Sequence, residues 1–217
     1  MSPMATASRT YGGVSVDQRR ATRRAALIEA ALDLFGEDGA QAVSKRSVCA
    51  RAKLNDRYFY EHFTDSDALL EAIVRDLTAG GLEAVGAAAQ GVAPDLRAQV
   101  HATADAALDY LVADPRRGQL LLSTHTSGVL QRARVESARA IADAMSTMIR
   151  ELLGSAAASK LDTDMAAFAL VSGAMEIVAC WLRGEFDAGR EHVADLIAGL
   201  LLATADVSTG LHTAADS

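Results

Sequence analysis

Proline occurs only three times in this 217-residue chain and cysteine only twice. Scarce proline removes the main interruption to helices, and abundant alanine favours them. Cys49 and Cys180 stand far apart, with no CxxC pair and no metal-ligand spacing. That excludes a disulfide framework and a cysteine zinc site, and predicts reduced thiols in a cytoplasmic protein. No uninterrupted apolar run approaches the roughly 20 residues of a membrane span. The opening segment MSPMATASRTYGGVSVDQRR has no apolar core, so no signal peptide and no membrane partner are expected. No stretch alternates apolar and polar residues with period two, which argues against a sheet. Aromatics are sparse too, with five Phe, four Tyr and one Trp. Four of these ten, Tyr58, Phe59, Tyr60 and Phe63, nevertheless crowd into LNDRYFYEHF, Leu54 to Phe63.

Basic residues are also short overall, and the net charge is −7. The deficit is uneven. Residues 1–75 hold eleven Lys/Arg against ten Asp/Glu, and residues 76–217 hold ten against eighteen. A polyanionic partner therefore has to meet the first part, where Arg19, Arg20, Arg23 and Arg24 cluster.

What remains is helical periodicity, and the fold class expected is all-α with about nine helices. Residues 1–18 read as a disordered tail. Residues 19–66 form three short helices. The first starts near Arg19, carries Leu27, Ala30, Ala31, Leu34 and Phe35 inward, and stops at Gly39. Ser44 caps the second, SKRSVCARA, and Asn55 caps the third, DRYFYEH, after a KLN break. Residues 67–207 read as a larger helical domain. Asp65 caps its first helix, which turns Leu69, Leu70, Ile73 and Leu77 inward. A helix bounded by Pro94 and Pro115 follows, then a short apolar segment, RRGQLLLS. Next comes a long helix over 128–153 with Ala138, Ile141, Met145, Met148 and Leu152 on one face. Asp162 caps a further helix with Met165, Phe168, Ser172, Met175, Ala179 and Leu182 on one face. The last helix runs from Ala188 to Thr204, and residues 208–217 read as a loose tail.

Two short helices around a three-residue turn, with a third in front, form a helix-turn-helix layout. The second helix of the pair is too short to be stable alone, so its neighbours hold its apolar face while its N-terminal end points into a major groove. Asp56, Arg57 and Tyr58 form that reading end, with Lys45 and Arg46 beside them. Arginine's planar donor fork suits guanine or phosphate. Tyr58 is placed to touch a thymine methyl or a sugar, and Tyr60 and His62 sit at the phosphate edge. His62 equally suits capping or packing. Phe59 and Phe63, four apart, are expected to pack against Phe35 and Val48 as core. The arginines at 19–24 suit phosphate contacts or a solvated face.

The continuous stretch LIEAALDLFGEDGAQAVSKRSVCARAKLNDRYFYEHFTDSDALLEAI resembles the N-terminal domain of the TetR family of transcriptional regulators. Ile28, Ala30, Ala31, Phe35, Gly39, Tyr60, His62, Phe63, Leu69 and Leu70 carry the resemblance. The segment AFALVSGAMEIVACWLRGEFDAGREHVADLIAGLLL is similar to that family's last two helices. The resemblance implies a cytoplasmic homodimer that binds a double-stranded DNA operator and releases it when a small-molecule effector binds. The implied DNA-binding residues are Arg23, Arg24, Ser44, Lys45, Arg46, Asn55, Asp56, Arg57, Tyr58, Tyr60, His62 and Ser66. Lys53 stands where the family often has Gly, Ser66 where it often has Lys, and Asp56 and Arg57 replace a frequent Lys/Gly-like pair.

In the larger domain, polar or aromatic residues interrupting apolar faces are candidate effector contacts: His101, Tyr110, Thr124, His125, Met145, Met148, Glu176 and Trp181. Phe168, Met175, Val178, Leu182, Val193, Leu196, Ile197 and Leu200 are candidates for a two-fold four-helix interface, with burial inside one subunit as the alternative. Asp105 four residues after His101 is not enough for a metal site. No catalytic set and no cofactor are expected. The GGLEAVG segment lacks the Lys-Ser/Thr of a phosphate loop, and no Ser/His/acid set or paired carboxylates stand out. Two other classes stay open, a non-specific architectural DNA binder and a helical enzyme.

Overall fold

The computed structural model describes residues 15–93, 95–122, 127–154 and 159–215. Among the described residues there are nine α-helices and no strand. The chain divides into two compact units, Met1–Leu69 and Leu70–Ser217.

The first unit contains α1 (Val16–Asp38), a 3-10 turn (Ala40–Ala42), α2 (Lys45–Ala52) and α3 (Asp56–Tyr60). Helix α1 starts before Arg19 because Ser15 forms a capping box. The Gln18 N–H donates to Ser15 Oγ at 3.0 Å and the Ser15 N–H donates to Gln18 Oε1 at 3.1 Å. The tail expected over 1–18 therefore gives way to helix by Val16, and residues 1–14 lie outside the described residues. Gly39 ends α1 at φ 78°, a left-handed value that glycine adopts without strain. Ser44 caps α2 and Asn55 caps α3, the latter by accepting from the Arg57 N–H at 2.9 Å. Leu27, Ala31, Phe35, Val48, Phe59 and Phe63 are buried, so the core follows the apolar spacing.

The turn between α2 and α3 is made by Lys53, whose φ of 54° and ψ of 39° are left-handed. A non-glycine residue costs about 1 kcal/mol there, because its Cβ crowds the following carbonyl. Lys53→Gly is expected to raise the stability of the front unit by about 0.5–1 kcal/mol, the extra unfolded-state entropy of glycine offsetting part of the gain. Chemical denaturation of the two proteins checks this, and an unchanged or lower midpoint would argue against strain at Lys53.

The second unit holds most of α4 (Ser66–Gln90), then α5 (Leu96–Val112), α6 (Pro115–Leu122), α7 (Gly128–Leu153), α8 (Lys160–Leu182) and α9 (Arg190–Ala215). Asp65 caps α4, accepting from the Ala68 N–H at 2.8 Å. The segment RRGQLLL, residues 116–122, is helical because Pro115 pre-sets the first turn and Asp114 accepts from the Arg116 N–H at 3.0 Å, and Ser123 lies outside the described residues. Ser159, not Asp162, caps α8, and the Asp162 N–H donates to it. Helix α9 continues to Ala215 rather than ending near Thr204, so 208–215 are helical. Pro94 and the side chain of Leu152 lie outside the described residues.

Two apolar clusters hold this unit. One joins Val100, Ala104 and Leu108 of α5 to Val178 of α8 and to Val193, Ala194 and Ile197 of α9. The other joins Ala138, Ala142, Met145 and Ile149 of α7 to Ala167 and Val171 of α8. Polar ties connect the same helices. The hydroxyls of Thr78 and Ser137 lie 2.7 Å apart, and Arg134 meets Glu176 at 2.7 Å. Arg190 meets Asp105 at 3.0 Å and Asp109 at 2.6 Å. Helix α8 buries Thr163, Ala167, Val171, Val178 and Ala179, whereas Met165 and Phe168 of the expected inward face are exposed. The helix is apolar on nearly every side, so spacing alone does not select its inward face.

Candidate DNA-binding face, effector cavity and exposed helix

Helix α3 has only five residues. Its inner side is Phe59, fully buried, with the Phe63 ring 5.8 Å away and the Tyr60 ring edge-on at 5.9 Å. Its outer side presents Asp56, Arg57 and Tyr60. Arg57 is the most open, with 83% of its side chain exposed, and its Nε reaches Glu61 at 3.5 Å. Tyr60 is 60% exposed. Lys45 of α2 bridges to this surface, meeting Asp56 at 2.6 Å and the Tyr60 hydroxyl at 3.4 Å. Hydrogen bonds to Asp56 and then Tyr60 hold the Lys45 ammonium above its ordinary pKa. Arg46 is exposed one residue on, with no ion pair among the described residues.

Tyr58 is half-buried, with the Arg23 guanidinium 4.4 Å from its ring centre, so it is not part of the outermost surface. His62 is half-buried and its Nε2 is buried with no hydrogen-bond partner. Burial, then the positive charge of Arg20, pushes its pKa below the ordinary histidine value, which suits a neutral packing residue rather than a phosphate donor. The arginines of α1 turn toward α3. Arg20 donates to the Glu61 carbonyl at 3.2 Å, Arg23 meets the Glu61 carboxylate at 3.5 Å, and Arg24 lies 5.8 Å from the centre of the Phe63 ring. They anchor the C-terminal end of α3, where cations are favoured. Glu61 is the hub that sequence reasoning missed, although its i,i+4 spacing from Arg57 was visible. Ser44 and Asn55 act as caps, and Ser66 is the first residue of α4.

Residues 27–73 match the family described as "Bacterial regulatory proteins, tetR family". They run from α1 into α4, so the helix-turn-helix part of the chain is similar to that family. An HTH-type transcriptional repressor of Mycobacterium tuberculosis is 42% identical over 53 residues, 24% of this chain and 28% of that protein's length. The chain thus spans little more than a quarter of that relative. Two solved structures share the fold over nearly the whole chain. A protein described as a TetR-family transcriptional regulator from Syntrophomonas wolfei has a TM-score of 0.73 at 15% identity, covering 86% of this chain and 96% of that one. The transcriptional regulator FadR of Bacillus subtilis, in complex with stearoyl-CoA, has a TM-score of 0.68 at 15% identity, covering 83% and 98%.

The second unit encloses a cavity of about 500 Å³, within the usual range for small-molecule sites. Its wall is overwhelmingly apolar and comes from α4 to α9. Of the expected effector contacts, Tyr110, Met145 and Met148 line it. His101 instead pairs with Asp195 at 3.5 Å, Glu176 with Arg134 and Arg183, and the Trp181 indole N–H donates to the Ala188 carbonyl at 2.8 Å. Thr124 and His125 lie outside the described residues. Arg117, Arg134, Thr78 and Ser137 also line the cavity and were missed. Arginines inside helices read as solvent-facing, and no spacing signal marked these two as exceptions.

Three of the eight expected subunit-interface residues are buried within the chain, and the other five are half-buried or exposed. Val178, Val193 and Ile197 are buried within the chain, Met175 lines the cavity, and Leu182 packs against the α5–α9 cluster. Leu200 is half-buried, while Phe168 and Leu196 are exposed at 36% and 44%. The face left open on α8 runs through Leu161 (67% exposed), Met165 (63%) and Phe168, and a Cβ added at Gly173 would meet nothing within 4 Å. By length and composition α8 is also apolar enough to cross a membrane, with 22% of its most apolar window buried.

Proposed function

We propose that this chain is a cytoplasmic, homodimeric transcriptional repressor that a small molecule releases from its operator. The observation that carries it is the division of α3, with Phe59 fully buried while Asp56, Arg57 and Tyr60 face outward beside Arg46. An element of five residues held only by its inner face has little structural use for such an outer face, and a major groove has the shape to receive it. The apolar cavity in the second unit supports an effector site, as does the acyl-CoA found in the Bacillus subtilis regulator of the same fold. The open apolar face of α8 supports pairing with a second copy, which would cover it.

Arg57→Ala tests the reading face. It is expected to leave the melting curve unchanged and to weaken binding to an operator from the flanking DNA by about 5- to 150-fold, the loss of one base-reading arginine. Fluorescence-anisotropy titrations at fixed salt measure it. Equal affinity of the parent for operator and scrambled DNA would overturn the repressor reading. A steep salt slope without sequence preference would favour an architectural binder instead.

A further inference from the structure

We infer that the cavity takes a lipophilic acid, an aliphatic body with a single carboxylate held by Arg117 and the Tyr110 hydroxyl. This rests on the effector reading above and deepens it by assigning the ligand's charge.

The lining excludes the opposite charge. No Asp or Glu is among the described residues around the cavity, so a cationic head would be buried with no counter-charge from them. Among the described residues Tyr110 is the one aromatic ring in the wall, and the Arg117 guanidinium already lies 4.0 Å from its centre. No cage of several rings is left to receive an ammonium.

Among the described residues, the lining also holds one positive charge without an ion pair. Of its two arginines, Arg134 is neutralised by Glu176 at 2.7 Å. Arg117 has no carboxylate within 4.0 Å among the described residues. Asp114, the nearest acid in sequence, is clasped by Arg116 at 2.7 Å, which does most to hold its carboxyl below the usual range, and Arg117 adds only a weaker, longer-range pull. Arg117 is oriented all the same. One N–H donates to the Tyr110 carbonyl at 2.6 Å while the guanidinium stacks on the ring, which leaves other donors of its fork unbonded. The Tyr110 ring is held in turn against α4, where a Cβ on Gly80 would come within 2.5 Å of its hydroxyl. That hydroxyl has no partner among the described residues. The other polar side chains in the wall are already engaged. Thr78 bonds to Ser137 and to the Val74 carbonyl, and Thr103 donates to the Val100 carbonyl. A half-buried, oriented and unpaired arginine beside a free hydroxyl, at the wall of an apolar chamber, fits a carboxylate with a long apolar tail.

Isothermal titration of the full chain with dodecanoate, dodecanol and dodecylammonium tests this. Dodecanoate is expected to bind about tenfold or more tighter than dodecanol, the size of one charge-assisted contact, and dodecylammonium the weakest. Arg117→Gln should abolish the preference for the acid and leave dodecanol affinity unchanged. Tyr110→Phe should lower the preference by a smaller factor. Equal binding of acid and alcohol by the parent, or a preference that survives Arg117→Gln, would overturn the inference alone. If none of the three binds, the effector reading falls with it.

Discussion

Phe59→Ala is expected to unfold the front unit. The side chain is fully buried between Phe63 and the neighbouring helices, and it anchors a helix of five residues that has no stability of its own. Removing a buried phenylalanine costs about 3–5 kcal/mol through lost apolar transfer and the cavity left behind. A small domain has a total stability of only about 5–15 kcal/mol, so the loss is a large share of it. The front-unit melting transition should fall by at least about 10 °C, given the few-degrees-per-kcal scaling of small domains. Operator binding should fail in proportion to the unfolded fraction. The second unit has its own apolar clusters, and its helices should persist by circular dichroism. If Phe59→Ala melts like the parent yet does not bind DNA, the residue lies on the reading face and the division of α3 is wrong.

Phe168→Asp is expected to convert the protein to monomers. Phe168 lies in line with Leu161 and Met165 on the exposed side of α8 and is 36% exposed, so a thermal melt of the variant separates lost packing within one chain from lost pairing. In a two-fold interface each carboxylate would be buried twice, near its own symmetry mate, with no cation opposite. Light scattering should report a mass near 22.7 kDa for the variant and about twice that for the parent. Operator affinity should fall about 100-fold or more, because one subunit no longer brings the other to the second half-site. A parent that is itself monomeric at micromolar concentration, or a variant that remains dimeric, would show that α8 is not the seam.

The legibility of the molecule in its sequence follows the range of the interactions. Ser44, Asn55 and Asp65 were readable as caps, because a cap bonds to backbone within a turn of itself. Leu27, Phe35, Val48 and Phe59 were readable as core because α1 to α3 are amphipathic. The start of α1 at Val16 was missed although the Ser15–Gln18 capping box is local, and the true end of α9 was missed because alanine-rich, weakly patterned sequence gives no stop signal.

By itself, the sequence determined the all-α class, the helix-turn-helix and the burial of Phe59 on the inner side of α3, because each depends on local periodicity and capping. Tertiary structure alone decided the rest. Only packing shows that Arg20 and Arg23 fasten Glu61, and that Arg117 and Arg134 border the cavity with just one of them neutralised. Only packing shows that α8 turns Thr163, Ala167 and Val171 inward and leaves Phe168 out. The physical reason is the same in each case. A charge's partner and an apolar helix's inner face are set by residues tens of positions away, brought close by the fold, and no pattern within one helix encodes them.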